Sequence, residues 1–519
     1  MSNGYPANNV YIGARYVPKL VGEWDSTKET AYEPLIIVTY QGDSYTSRQY
    51  VPAGVDIGNT EYWVLTGNFN GQIESFRLAL EALNNKVNNT PLISIKMFGA
   101  VGNGIADDTE ALEAAVSDGR PIYFDNGRYL CKRTITFNNA RLIGPGTVVF
   151  SEPLSNGIVC QGDYAIVNGL TIDGSNLVAS GLTIVSDSAA VSHVQVKNIK
   201  GLTDTGAVGI NCVAKENVCI TDCDISNVIR TFEPSMGQTG SNGIFARGRN
   251  VIISNIKVSN IRATNVHYDC DDVYVQGIGD SFDGQCFITN VISNDYVGRC
   301  LKVQMKTQYI SNILGVNANS EDDTSMISSQ YGDTVKMTNI TYSGLDNLLK
   351  AIVFSMDNNN NALLSFANVN INALCNTVFL FNDVSAHTDI NGMIYSKTSP
   401  IYSIVRFTEN LTHVFNLRIK DITGSWSNYF NIVDNTDKLN IELQGYLPNN
   451  GTPFTVGNKL ITGNVKFRNF CPTGQQSIIG NYNLSNIYAC DAIFANIVDN
   501  DSKTYYYVLK IGNKKILGI

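Results

Sequence analysis

The residues best equipped for chemistry lie between positions 247 and 302. The run Val266-His267-Tyr268-Asp269-Cys270-Asp271-Asp272-Val273-Tyr274-Val275-Gln276 puts three carboxylates into four positions beside a strand-like stretch, and Asp280, Asp283 and Asp295 follow. Two carboxylates facing one bond can work as general acid and general base, and cations beside them, here Arg299 and Lys302, can hold an acidic group by charge-assisted hydrogen bonds. If the chain coils with a repeat of about 23–30 residues, the Asp269–Asp272 group lies one rung below Asp295–Lys302 on the same face. Arg247 and Arg249 then extend the patch by a further rung. On this reading Asp269, Asp271, Asp272 and Asp295 are candidate catalytic groups, and Arg247, Arg249, Tyr274, Arg299 and Lys302 are candidate substrate-binding groups. The same residues are open to two other arrangements, a binding patch without turnover and a set of corner salt bridges. His193, His387 and His413 stand alone without metal-ligand spacing, and the Gly102-Asn103-Gly104 loop lacks the Lys of a phosphate-binding loop.

The elements that must position these groups are strands. Charged residues make up 16% of the 519, against roughly 25% in an average soluble protein, and Asn, Ile, Val, Thr, Ser and Gly dominate. A formal charge of −9 without clustered Lys or Arg speaks against a nucleic-acid partner, which needs phosphate neutralisation. No apolar run approaches the roughly 20 residues that span a bilayer. The start, Met1-Ser2-Asn3-Gly4-Tyr5-Pro6, has no charged and apolar leader, so synthesis in a cytoplasm without membrane insertion is expected. Eleven Cys, an odd number without zinc-type pairs, read as reduced core residues, since a free thiol behaves as a small hydrophobe.

Residues 1–68 read as a small β module: Gly22-Glu23-Trp24-Asp25, Tyr40-Gln41-Gly42-Asp43 and Tyr62-Trp63 alternate apolar and polar residues around a Gly-Asp turn signal. Trp24, Tyr40 and Trp63 are expected to make its core. Residues 69–90 change to period 3.5, with Ile73, Phe76, Leu80, Leu83 and Val87 on one seam, and predict a coiled-coil-like helix joining chains. Residues 91–345 carry short Val/Ile strands with Asn or Gly at the corners, such as Asn250-Val251-Ile252-Ile253 and Ile310-Ser311-Asn312-Ile313. They recur at roughly 20–35 residues, the spacing of a solenoid. Across 346–519 the strands persist less regularly, as a continued solenoid or a C-terminal β region.

The most specific signal runs from Met97-Phe98-Gly99-Ala100-Val101-Gly102-Asn103-Gly104-Ile105-Ala106-Asp107-Asp108-Thr109 through Pro121-Ile122-Tyr123-Phe124 to Gly127-Arg128-Tyr129-Leu130. The glycines make a tight loop, Asp107 or Asp108 offers an N-cap for a helix over 109–116, and two strands follow. This string resembles the start of pectate-lyase superfamily domains, in which such a helix, here within 97–116, caps a right-handed parallel β-helix. The order of modules resembles bacteriophage tail spikes and pre-neck appendages. The resemblance implies an all-β homotrimer of the virion tail, attached through its N-terminus to other tail proteins and assembled in the host cytoplasm. It implies adsorption to a host cell-wall or capsular polysaccharide, teichoic acid or a capsule-like polymer, with cleavage left open. Asp269-Cys270-Asp271-Asp272 and Arg299-Cys300-Leu301-Lys302 look similar to the sites of polysaccharide hydrolases of this fold, although their Gly-His-Gly element is absent. Lyases of the fold hold Ca²⁺ on carboxylates, so no cofactor is expected unless the reaction is a lyase's. The rival readings are a stand-alone polysaccharide lyase or glycoside hydrolase, and a purely structural virion fibre.

Overall fold

The computed structural model describes residues 19–25, 32–41, 43–67, 92–201, 206–231, 240–263, 270–318, 325–344, 352–357, 360–371 and 377–382, and strands only beyond that. The chain divides into two units, Met1–Thr90 and Pro91–Ile519. The 69–90 seam lies outside the described residues, and among those described no helix is long and apolar enough to cross a membrane.

In the first unit β1 (Lys19–Glu23) pairs in parallel with β2 (Ile36–Tyr40), which pairs antiparallel with β3 (Asp43–Ser47), and β3 with β4 (Trp63–Gly67). Such a small sheet stays folded by burying one face, and Tyr32, Ile36, Val38, Val51, Ile57 and Trp63 make that core. Tyr32 meets the Trp63 ring edge-on at 5.3 Å. Trp24 and Tyr40, in edge contact at 5.0 Å, are its half-buried flank.

The second unit opens with a cap. The helix α1 (Thr109–Asp118) lays Leu112 and Ala115 on the first apolar layer and stops at Gly119, whose φ of 77° suits glycine. Asp108 stands at the N-cap position but makes no cap bond. Its buried carboxylate turns back to the glycine loop and accepts the N–H of Val101 at 2.6 Å and of Gly102 at 3.2 Å. Asp107 takes the N–H of Thr109 at 3.1 Å, and its hydrogen bonds to Thr109 hold its pKa low. The strands Ile122–Tyr123 and Arg128–Cys131 follow.

Behind the cap each strand pairs in parallel with the strand one coil later, which makes a parallel β-helix. One interior column runs Ile158, Leu182, Ile210, Ile244, Val273, Leu301, Ile327, Phe354, Phe379, with every member fully buried. Burying one such side chain contributes about 1.5–3 kcal/mol, and each coil supplies several. The corners are closed by amides: Asn255, Asn290, Asn312, Asn339 and Asn368 all sit at φ between 54° and 56°, which Asn tolerates better than most residues. Each donates its Nδ2 to the side chain one coil before, at 2.9–3.0 Å. Parallel pairing runs on past residue 345 to Ile478–Ile479 with Ile497–Val498. The last strands, Thr504–Val508 and Leu517–Gly518, pair antiparallel. The eight described cysteines are free, and all but Cys219 are buried.

Candidate functional site

The strands Ser241–Arg247, Cys270–Gln276, Arg299–Gln304, Ser325–Gln330 and Ile352–Asp357 lie side by side in successive coils. Because side chains alternate across a strand, register lines up outward columns. One column reads Phe245, Tyr274, Lys302, Ser328, Ser355, and the next reads Arg247, Gln276, Gln304, Gln330, Asp357. Phe245 and Tyr274 meet edge to face at 5.0 Å, and the Lys302 ammonium lies 4.7 Å over the Tyr274 ring. That contact helps to compensate a cation only 7% exposed.

The glutamine column is a relay. Gln276 donates to Gln304 Oε1 at 2.9 Å, which also accepts the Tyr274 hydroxyl; Gln304 donates to Gln330 at 2.5 Å, and Gln330 to Asp357 at 3.4 Å. Each amide therefore points in a set direction along the axis, the state in which polar groups recognise a ligand without paying ordering entropy at binding.

Of the residues picked out in the sequence, the structure brings Arg247, Asp271, Tyr274, Arg299 and Lys302 to this sheet. Arg299 Nε donates to Asp271 Oδ1 at 2.5 Å, in a column that also holds Asn242. Asp271 is 0% and Asp272 1% exposed, so neither carboxylate reaches solvent. Asp272 occupies the corner position filled by Gly157, Gly181, Gly209 and Gly243 in the four preceding coils, where a Cβ on Gly243 would come within 2.5 Å of the Asp272 carbonyl. Its side chain accepts the Ser293 hydroxyl. Burial raises its pKa well above the ordinary carboxylate value and nearby Asp271 adds to this, against the Ser293 bond.

Asp295 is exposed at the corner before Arg299, at φ 55°. Arg249 lies past the other end of the strand Ser241–Arg247 and pairs with Glu216 at 3.3 Å. Asp269 and His267 lie outside the described residues. Ca²⁺ takes six to eight oxygens, whereas the described residues contain no group of three or more His, Cys, Asp or Glu suited to a metal, and Asp271 already carries the Arg299 guanidinium. They do not fit such an ion.

The glutamine column went unnoticed in the sequence, yet its three glutamines follow one another at 28 and 26 residues. That is the coil length, and a search for one polar residue type at that spacing would have found it.

Residues 92–177 match the family described as rhamnogalacturonase A/epimerase, pectate lyase-like, so the chain carries a pectate-lyase-like domain. A stretch of the chain is also similar to the pre-neck appendage protein of Bacillus phage B103, 36% identical over 80 residues that cover 14% of this chain and 9% of that protein. The match thus spans under a tenth of that relative's length. Among solved structures, tailspike protein 3 of bacteriophage CBA120 is 10% identical with a TM-score of 0.36, covering 96% of this chain and 79% of that one. The tailspike of phiAB6, solved with oligosaccharides of Acinetobacter baumannii surface polysaccharide, is 14% identical with a TM-score of 0.30, covering 64% and 60%. The N-terminal fragment of gene product 12 of bacteriophage Phi29 is 12% identical with a TM-score of 0.31, covering 85% and 100%. Likeness at that level says nothing of what this chain binds.

Proposed function

We propose that this chain is a bacteriophage tail appendage that binds a host cell-surface glycan during adsorption, and that the outward face built on Phe245, Tyr274, Lys302 and the glutamine column is where it does so. The observation that carries the reading is the pre-oriented amide column beside an aromatic pair, since sugars present hydroxyls to amides and C–H faces to rings. Homology with a phage pre-neck appendage protein supports the setting. The burial of Asp271 and Asp272 favours binding over cleavage at this face, because an acid–base pair must come within hydrogen-bond reach of the bond it breaks. Three chains are proposed to assemble through residues 69–90, with the N-terminal unit joining other tail proteins.

The test is to incubate the full chain with surface polysaccharide isolated from candidate host cells. Retention of the polymer without new reducing ends or unsaturated products is expected, weakened at least fivefold in Gln304→Ala. Steady release of such ends would make the protein a depolymerase, and no retention from any host would leave a structural fibre. Light scattering of the full chain should return three times the chain mass.

A further inference from the structure

The corner that follows the glutamine column is unlike the other corners among the described residues. Among the described residues from 92 onward, sixteen other than glycine have positive φ, and fourteen of them are Asn, Asp, Ser or His. Those four types have short or polar side chains that bond locally or tolerate the left-handed region. The other two are Phe282 at φ 52° and Tyr331 at φ 60°, bulky aromatics for which that backbone is strained. They stack on each other, with centroids 4.4 Å apart and planes 18° from parallel. Tyr331 directly follows Gln330. Phe282 lies in a tight excursion after Gln276, closed by the bridge between Ile278 and Asp283. Two strained aromatics, from coils that are not adjacent, are thus brought together at the edge of the proposed binding face. Strain of this kind persists where the surroundings impose it, and it concentrates at ligand sites.

The charges around the pair are already matched. Lys306 lies between Asp283 at 3.9 Å and Asp333 at 3.6 Å. Arg299 is held by Asp271, and Lys302 is buried over the Tyr274 ring. Arg247 has no carboxylate partner among the described residues, and one such cation falls short of the row that a chain of phosphodiesters or uronates would need.

We propose that the Phe282–Tyr331 stack is a sugar-stacking platform continuous with the glutamine column, and that the polymer it takes is made of uncharged, hydroxyl-rich sugars. The inference rests on the glycan-binding reading above and narrows its substrate class. The rings pack against the C–H face of a pyranose while Gln330 and Gln304 exchange hydrogen bonds with its hydroxyls. Half-buried rings held by the backbone lose little freedom when a sugar arrives.

The experiment probes immobilised bacterial surface polysaccharides, grouped as uncharged, phosphodiester-linked or uronate-bearing, with the full chain and its variants. Retention is expected on uncharged members, changing less than about twofold up to roughly 0.5 M NaCl, where surface charge interactions are screened. Tyr331→Gly removes the ring and relieves the backbone, so its retention should fall tenfold or more while its thermal midpoint holds or rises; Phe282→Gly should behave likewise. Ile105→Ser, at an exposed position in the cap, is the control and should retain normally. Retention confined to phosphodiester or uronate polymers and lost with salt overturns the substrate class while leaving glycan binding intact. Wild-type retention by a correctly folded Tyr331→Gly overturns the platform. No retention by the wild-type chain on any member counts against the glycan-binding reading itself, and this inference falls with it.

Discussion

Two corners of the same β-helix solve the same backbone problem in opposite ways. At the asparagine corner, Asn255, Asn290, Asn312, Asn339 and Asn368 repeat one residue type at one φ, and each amide is satisfied by the next. At the corner holding Phe282 and Tyr331, neither the residue type nor the loop length repeats, and the backbone is strained under rings of no use to a turn. A solenoid is stabilised mainly by neighbouring repeats, so architecture alone accounts for a corner that keeps the repeat with satisfied amides. One that breaks it at a cost in stability is a candidate for function.

The sharpest way to break this comparison is at the ion pair beneath the binding face. Arg299→Ala leaves the Asp271 carboxylate buried without its cation, which costs about 3–5 kcal/mol. Chemical denaturation of the full chain should show that loss, whereas Arg249→Ala, which removes an exposed pair with Glu216, should cost under about 1 kcal/mol. Equal effects would mean that the Arg299 column is as superficial as the other.

The next effect belongs to Asp272, where the glycine column is broken by an acid. Its folded pKa is raised, chiefly by burial, so the unfolded state ionises first as pH rises above the ordinary value of 3.8. The sign follows from linkage: below that value both states are neutral and nothing is lost, and stability falls as pH climbs from there toward the folded pKa. Asp272→Asn keeps an acceptor for Ser293 and removes the ionisation. It should therefore stabilise at pH 7, by up to about 1.4 kcal/mol for each pH unit between 3.8 and the folded pKa, with the gain shrinking toward zero near pH 4. A gain that does not depend on pH would show that Asp272 is not a neutral acid in the folded chain.

How much of this was legible beforehand depended on distance along the chain. The cap was readable because its glycines, aspartates and helix lie within about thirty consecutive residues whose local conformations follow from type. The pairs Asp271–Arg299 and Tyr274–Lys302 were readable because both are 28 residues apart, one coil, and sit in the middle of strands. Asp295 and Arg249 were misplaced on that face because a strand here holds only six or seven residues, so a residue a few positions outside it has already turned the corner. The inward Asp272 was hidden because alternation fails at a bend: Asp271 and Asp272 are both buried. The aromatic corner gave no signal at all, since Phe and Tyr do not announce positive φ as Asn and Gly do.

The smallest effect is the most direct test of the comparison, because one substitution should change sign between the two corners. Glycine adopts positive φ without a Cβ penalty, so at Tyr331 it removes a strain of about 1–2 kcal/mol, less the 0.5–1 kcal/mol of extra chain entropy that glycine carries. That leaves about 0.5–1 kcal/mol in favour of glycine, from which the lost stacking with Phe282 subtracts, so Tyr331→Gly should hold the stability or raise it by less than about 1 kcal/mol. At Asn312 the backbone is already comfortable, and glycine forfeits the bonds to Asn290 at 3.0 Å and from Asn339 at 2.9 Å. These are exposed amides, each worth about 0.5 kcal/mol at the low end of the net scale, and glycine's chain entropy adds about 0.5–1 kcal/mol, so Asn312→Gly should destabilise by about 1.5–2 kcal/mol. Denaturation midpoints for the two variants on opposite sides of the wild type would separate a corner kept for stability from one kept in spite of it. Midpoints on the same side would mean that the stack stabilises the coils as much as the amide ladder does, and that the strain at Tyr331 has a structural return after all.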